Sequence, residues 1–209
     1  MSTGVSELGG WAGVLDAAVA VRAYRGEIES GDAGVIAAVG GATVLALIDG
    51  LGHGREAARA ARAAALVIER AQSDDPEHIL QACHAALQGT RGAAVTVAIV
   101  DAGCATVRMA GVGNVSCRLR RAADTGELAT PLRGGIVGAS LPRLVPSTRQ
   151  LASGDLILLH TDGVRDDVDW SVLRTHGAAL AAARLLDQGA TGTDDAGVVA
   201  ARVLPGESA

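Results

Sequence analysis

Four acidic positions interrupt apolar runs of this chain in a way that could support chemistry. Asp49 closes the run Val44-Leu45-Ala46-Leu47-Ile48 and is followed by Gly50. Asp162 comes after Leu156-Ile157-Leu158-Leu159-His160-Thr161 and is followed by Gly163. Asp32 stands just before a second apolar run, and Asp194-Asp195 just before the last one. Carboxylates gathered in one place repel one another unless they are protonated or bridged by a cation. Oxygen-only ligands suit Mg²⁺ or Mn²⁺, and no Cys/His set is spaced for zinc. Taken singly, an Asp-Gly pair is an ordinary turn. Two such pairs after buried strands, with an acidic pair at a third, point instead to carboxylates converging at one rim of a sheet sandwich.

The elements that must hold these residues follow from periodicity and punctuation. Trp11 to Tyr24 is rich in Val and Ala and reads as a strand. Ala33 to Val39 and Ala42 to Asp49 are joined by Gly40-Gly41, a hairpin whose two turn positions need positive φ. A strand as uniformly apolar as residues 44–48 is expected to be covered on both faces. Arg55 to Gln72 reads as an Ala-rich amphipathic helix, and a second helix starts near Pro76 and ends at Gln88-Gly89. Ala94 to Asp101 and Cys104 to Ala110 make a second hairpin, Asn114 to Arg121 a further strand, and Ala122 to Gly126 a polar turn. Pro131 to Pro146, with several Gly and Pro, is an irregular connection. Strands at Leu144 to Leu151 and Asp155 to His160 flank the turn Ser153-Gly154. Trp170 to Gln188 is helical with a break near Gly177, and Asp195 to Val203 is the last strand. Strands in hairpin order with a helix pair between them predict an antiparallel α+β layered domain.

Composition narrows the function. The chain has 209 residues, 49% of them hydrophobic, enough for one sizeable core, so residues 1–209 are expected to form a single domain. Aromatics are 1%, Phe is absent, and all 18 basic residues are Arg. A formal net charge of −5 argues against a nucleic-acid binder, which needs a clustered basic face. No apolar run approaches the roughly 20 residues of a membrane span. Met1 to Gly10 lacks a basic region followed by an apolar stretch, so no secretion signal is expected. Cys83, Cys104 and Cys117 are an odd set without metal-ligand spacing, read as reduced thiols in the cytoplasm.

The ordered set of short motifs resembles the PPM family of metal-dependent serine/threonine phosphatases, in the compact bacterial branch of SpoIIE and RsbX type. The matching pieces are Ser30-Gly31-Asp32, Ile48-Asp49-Gly50-Leu51-Gly52-His53-Gly54, Gly111-Val112-Gly113-Asn114, Gly154-Asp155, Thr161-Asp162-Gly163-Val164 and Asp194-Asp195. They run from residue 30 to about residue 200. The resemblance implies a four-layer α-β-β-α sandwich of two antiparallel sheets flanked by helices. It implies two Mn²⁺ or Mg²⁺ ions, with Asp49 bridging them and the Gly50 carbonyl ligating one. Asp162 and Asp194 would hold the first ion and Asp32 the second, with Asp195 the alternative to Asp194. Asp49 and Asp162 are thereby the implied catalytic residues, serving a metal-activated water that attacks phosphoserine or phosphothreonine without a phosphoenzyme.

By the same resemblance, the substrates are phosphorylated STAS-domain proteins of a stressosome, met by a monomer in the cytoplasm. No nucleic-acid or membrane partner is expected. The competing reading is a phosphatase-fold interaction module without activity; retention of Asp32, Asp49, Asp162 and Asp194 counts against it. A small-molecule phosphohydrolase would use the same ligands. His53 does not align with the histidine directly after Asp-Gly in eukaryotic members, so no general-acid role is carried over to it. Arg25, Arg55 and Arg133 are candidates for a phosphate clamp. His160 reads as a packed, hydrogen-bonded histidine, His78, His84 and His176 as surface residues, and Arg55, Arg59 and Arg62 as a solvated helix face.

Overall fold

The computed structural model describes residues 3–7, 15–122, 126–167 and 169–205. Its elements, in chain order, are β1 (Thr3–Glu7), β2 (Leu15–Arg22), β3 (Asp32–Val39), β4 (Ala42–Gly50), α1 (Arg55–Glu69), α2 (Pro76–Ala86), β5 (Ala93–Asp101), β6 (Thr106–Val112) and β7 (Ser116–Arg120). There follow β8 (Glu127–Ala129), β9 (Ser147–Gln150), β10 (Leu156–His160), α3 (Ser171–Thr175), α4 (Ala178–Gly189) and β11 (Ala196–Val203). All named strand pairs are antiparallel. One sheet runs β1-β2-β11-β10-β7-β8 and the other β3-β4-β5-β6-β9.

Side-chain alternation explains why the central strands are apolar on both faces. In β4, Val44, Ala46 and Ile48 point toward α1 and α2, while Leu45 and Leu47 point into the space between the sheets. In β10, Leu156 and Leu158 pack under α3 and α4, while Ile157 and Leu159 meet the opposite sheet. The result is the expected four layers, with helices outside two face-to-face sheets. A core of Ala, Val and Leu without Phe allows very close layers. A Cβ added at Gly34 would lie 2.4 Å from Val19 Cγ1 of the other sheet.

The Gly40-Gly41 hairpin forms as expected, with φ of 56° and 92°. The second helix begins as its sequence predicts: Asp75 accepts the Glu77 amide at 2.8 Å and Pro76 opens the first turn. Several boundaries shift. The first helix stops at Glu69 and the second at Ala86. The strand expected from Trp11 begins at Leu15, residues 11–14 lying outside the described residues, as do 123–125 of the expected polar turn. The strands around Ser153-Gly154 are β9 and β10, and they belong to different sheets, so this turn crosses the sandwich instead of closing a hairpin. Strands β1 and β8 lack a sequence signal; β8 has three exposed residues and no alternation. Among the described residues, no helix is long and apolar enough to cross a membrane.

Candidate functional site

Four strand ends meet at one rim between the sheets. Asp32 opens β3 and Asp49 nearly closes β4, and the antiparallel register sets them directly opposite each other. Directly paired residues project to the same side, here the side of Leu45 and Leu47, toward the second sheet. That sheet answers with Thr161, just past β10, whose hydroxyl donates to Asp32 Oδ2 at 2.8 Å. The same hydroxyl accepts the Gly197 amide of β11 at 2.9 Å, and the Thr161 amide donates to the Gly197 carbonyl. A single threonine thus stitches both sheets to one carboxylate. Asp162 follows it, with Oδ2 receiving the Asn114 amide side chain at 2.6 Å.

Glycines make the close approach possible. A Cβ at Gly50 would come within 2.3 Å of the Ala57 carbonyl of α1, and one at Gly163 within 1.9 Å of the Asp195 carbonyl. Side chains there would push the two Asp-Gly turns away from their supports. Asp194 and Asp195 differ sharply. Asp195 is 3% exposed, its Oδ1 accepts the Tyr24 amide at 2.8 Å, and its Oδ2 is buried beside Gly31. Asp194 is exposed; its Oδ1 accepts the Asp195 amide at 2.8 Å.

The cluster is short of positive charge. Burial first, then the charges of Asp162, Asp194 and Asp195, push Asp49 up to about 7. Burial, then Asp49, hold Asp32 well above the usual carboxylate range, against the pull of its Thr161 hydrogen bond. Asp195 is also raised, by burial most of all, with the Tyr24 and Gly31 amides opposing. Among the described residues no arginine or histidine forms an ion pair with any of these five carboxylates. Also among the described residues, no three Asp, Glu, His or Cys side chains enclose a single point. A cation here must therefore complete its shell with backbone carbonyl and water, as Mg²⁺ and Mn²⁺ readily do. An all-oxygen donor set with excess negative charge and no paired basic group among the described residues fits hard divalent ions.

The remaining expected residues sort as follows. His160 is buried with Nδ1 on the Thr161 carbonyl, as a packed histidine should be. His84 departs from its expected surface role: it is half-buried and its Nδ1 accepts the Gly138 amide at 2.9 Å, anchoring the 131–146 connection. His53 flanks the site, held by Glu27 at 2.8 Å and tilted by 49° against the Tyr24 ring, centroids 5.0 Å apart. Arg55, Arg59 and Arg62 form the solvated face expected, with Arg59 and Arg62 pairing with Glu56 and Glu29. Among the clamp candidates, Arg55 shares a cleft with Glu27 and Glu29, Arg25 is exposed, and the Arg133 backbone carbonyl holds the Gly113 amide. Thr161, which positions Asp32, stands in the sequence motif Thr161-Asp162-Gly163-Val164 with no role assigned to it; its signal is a hydroxyl at an apolar strand end. Asn114 likewise stands only as part of a motif.

A fold of two antiparallel sheets between helix layers, with this carboxylate rim, defines a class that comparison identifies. The family model for stage II sporulation protein E (SpoIIE) matches residues 39–204. The chain belongs to the SpoIIE family. Phosphoserine phosphatase RsbX of Bacillus subtilis (strain 168) is 26% identical over 121 residues, 58% of this chain and 60% of RsbX. The match thus spans less than two thirds of that relative. A chain in a structure of the bacterial stressosome, described as a modular system adapted to control secondary messenger signaling, is 33% identical. It superposes with a TM-score of 0.85 over 90% of this chain and 99% of its own. A crystal structure of RsbX in complex with magnesium has the same fold, with a TM-score of 0.82 at 21% identity, covering 97% of this chain and 100% of that one.

Proposed function

We propose that this protein is a metal-dependent phosphoprotein phosphatase. It hydrolyses phosphoserine or phosphothreonine on STAS-domain proteins of a stressosome, in the cytoplasm. The observation that carries the reading is the cross-strand pair Asp32–Asp49, pressed by three further carboxylates and paired with no described basic group. An interaction module would gain nothing from so costly a cluster. Family membership and the phosphoserine phosphatase and stressosome matches support the same reading.

Asp32, Asp49, the Gly50 carbonyl, Asp162 and Asp194 would hold two Mg²⁺ or Mn²⁺ ions. Asp194 is favoured over Asp195 because it is the exposed one, while Asp195 is occupied bracing the Tyr24 backbone. When bound, such ions would acidify a water and offset charge on the phosphoryl group. The chain's own contribution is positioning. No described donor hydrogen-bonds to the carboxylate oxygens of Asp49, which stays available beside Asp32. Thr161 fixes the rotamer of Asp32, and Asn114 that of Asp162. With both turns seated on glycine, the carboxylates are pre-set and need little reorganisation when substrate arrives.

On this reading the site is shallow, bounded by residues 52–54 and by the 131–146 connection, whose Arg133 carbonyl holds the Gly113 amide next to Asn114, and it touches little of a substrate beyond the phosphate. Recognition then falls to docking of a folded partner, and remote binding energy orients the phosphoserine. The test is phosphate release from a phosphorylated STAS protein in EDTA, then with Mn²⁺ or Mg²⁺ restored, beside the isolated phosphopeptide. Release only with metal, and about tenfold or more higher kcat/KM on the intact protein, is expected. Metal-independent release would refute the mechanism, and equal efficiency on the peptide would refute docking.

A further inference from the structure

The connection from β2 to β3 borders the carboxylate rim and is tied down along its length. The Tyr24 amide donates to Asp195 Oδ1 at 2.8 Å. The Glu27 amide donates to the Tyr24 carbonyl at 3.0 Å, across a turn whose third residue, Gly26, has φ of 96°. The Glu27 carboxylate meets His53 Nδ1 at 2.8 Å, and a Cβ added at Gly54 would lie 2.9 Å from Glu27 Oε2. Glu29 accepts from Arg62 Nη2 at 2.9 Å. Ser30 Oγ then accepts the Asp32 amide at 3.1 Å, and the Gly31 carbonyl accepts the Gly50 amide at 2.9 Å. Both neighbours of residue 28 are thus pinned, and both ends of the connection attach to the rim.

Ile28 stands out from this braced loop. It is 95% exposed, whereas the other exposed large apolar residues among the described ones reach at most 48%. It lines two clefts of about 240 and 210 Å³, one shared with Tyr24 and Arg25, the other with Glu29 and Arg55. Ion pairs and backbone hydrogen bonds hold the loop around it, so much of the ordering cost of a contact is met before a partner arrives. Ile28 precedes Asp32 by four residues, so their Cα atoms are no more than about 14 Å apart. A folded partner of standard size covers about 800 Å² of a protein's surface, a disc of roughly 16 Å radius. One that brings a phosphorylated side chain to the carboxylates therefore extends over Ile28.

We propose that Ile28 is the apolar anchor by which a folded phosphoprotein substrate docks beside the carboxylate rim. The inference rests on the phosphatase reading above and deepens it by naming a residue that selects the substrate. The occupant is the substrate protein itself, which receives Ile28 in an apolar recess beside its phosphorylated side chain. The Glu27–His53 and Glu29–Arg62 pairs flank the apolar tip with polar groups that already have partners. A central apolar contact inside such a polar border, which excludes water, is how a hot spot is built. A small phosphate ester has no recess to offer and gains nothing from Ile28.

The test uses the full chain in Mn²⁺, comparing wild type with Ile28→Asn, Ile28→Ala and Ile28→Leu. Asn replaces the apolar tip by an uncharged amide, so no charge is added beside the carboxylates. Turnover is measured with p-nitrophenyl phosphate and with a phosphorylated STAS protein, and calorimetry measures binding of the unphosphorylated STAS protein. Ile28→Asn and Ile28→Ala should raise KM on the phosphorylated protein and weaken binding of the unphosphorylated one by about tenfold, the loss of one hot-spot side chain, with kcat little changed. Ile28→Leu should recover most of that loss. Kinetics on p-nitrophenyl phosphate, Mn²⁺ affinity and thermal midpoint should stay at wild-type values. Unchanged KM and affinity in Ile28→Asn would overturn the proposal. So would an equal loss on p-nitrophenyl phosphate, which would make Ile28 a support of the site. A change of oligomeric state in Ile28→Asn would overturn it too, making a second copy of the chain the occupant. Calorimetry needs no turnover, so a wild type that binds the STAS protein through Ile28 but hydrolyses neither substrate would count against the phosphatase reading alone.

Discussion

Two buried acidic sites at opposite ends of β10 obey opposite rules. At its start, Asp155 is 1% exposed, and its two oxygens accept the Ala122 and Ala152 amides at 2.8 and 2.9 Å, with Arg121 Nη1 3.8 Å away. At its far end, past His160, Asp32 is 5% exposed and faces Asp49, with Asp194 and Asp195 also in range. Both are carboxylates taken out of water. One is satisfied by amides and an arginine and closes a loop. The other is left with like charges, an arrangement that only an external cation or proton resolves. Burial alone therefore does not mark function; burial with an unbalanced charge does.

The sharpest way to break this contrast is to exchange charge for an amide at each end. Asp49→Asn should cut phosphatase turnover by about 10³-fold or more, over ~4 kcal/mol of barrier, while the metal-free protein stays folded. Steady-state rates with a circular dichroism melt check both halves of that statement. Asp155→Ala should do the reverse. Two buried amides lose their acceptor, which costs about 2–4 kcal/mol of stability in a denaturant titration, with kcat per folded molecule unchanged.

Protons sharpen the comparison further. Asp49 has its folded pKa raised to about 7 from an unfolded value near 3.8. The folded state therefore binds the proton more tightly, and the stability this brings is present at low pH. It is lost as pH rises from about 4 through about 7. Metal-free protein should accordingly melt at lower temperature at pH 8 than at pH 5.5, and Asp49→Asn should flatten that slope. Excess Mg²⁺ or Mn²⁺ should restore the midpoint at pH 8. The smallest effect expected is that of Thr161→Val. Loss of the hydroxyl that aims Asp32 should lower kcat by about tenfold and leave the fold intact, an effect of one hydrogen bond. A melt and a rate measurement distinguish it from the Asp49 variant.

Much of this was legible before any coordinates. The Gly40-Gly41 hairpin announces itself because two apolar runs meet at residues free to take positive φ. The Asp positions stand out because a charge at the end of a two-sided apolar strand has no structural excuse. What stayed hidden depended on contacts between distant segments. Asp194 and Asp195 are neighbours in sequence, and only the Tyr24 backbone, 171 residues away, decides which is braced and which is open. Ile28 reads in sequence as an ordinary apolar residue, and only the fold shows it held outward beside the rim. The exposed strand β8 carries no alternation, and the jump of β9 and β10 into different sheets across Ser153-Gly154 reads in sequence like any tight turn.

The central claim is that the carboxylate rim exists to hold hard cations for phosphate hydrolysis. The most direct measurement is a Mn²⁺ titration of metal-stripped protein, following heat of binding and phosphate release from a phosphorylated STAS protein in the same samples. Turnover should be absent without metal and rise in step with occupancy, and Asp49→Asn should lose both signals together. Full turnover in EDTA, or Mn²⁺ binding undiminished in Asp49→Asn, would contradict the account.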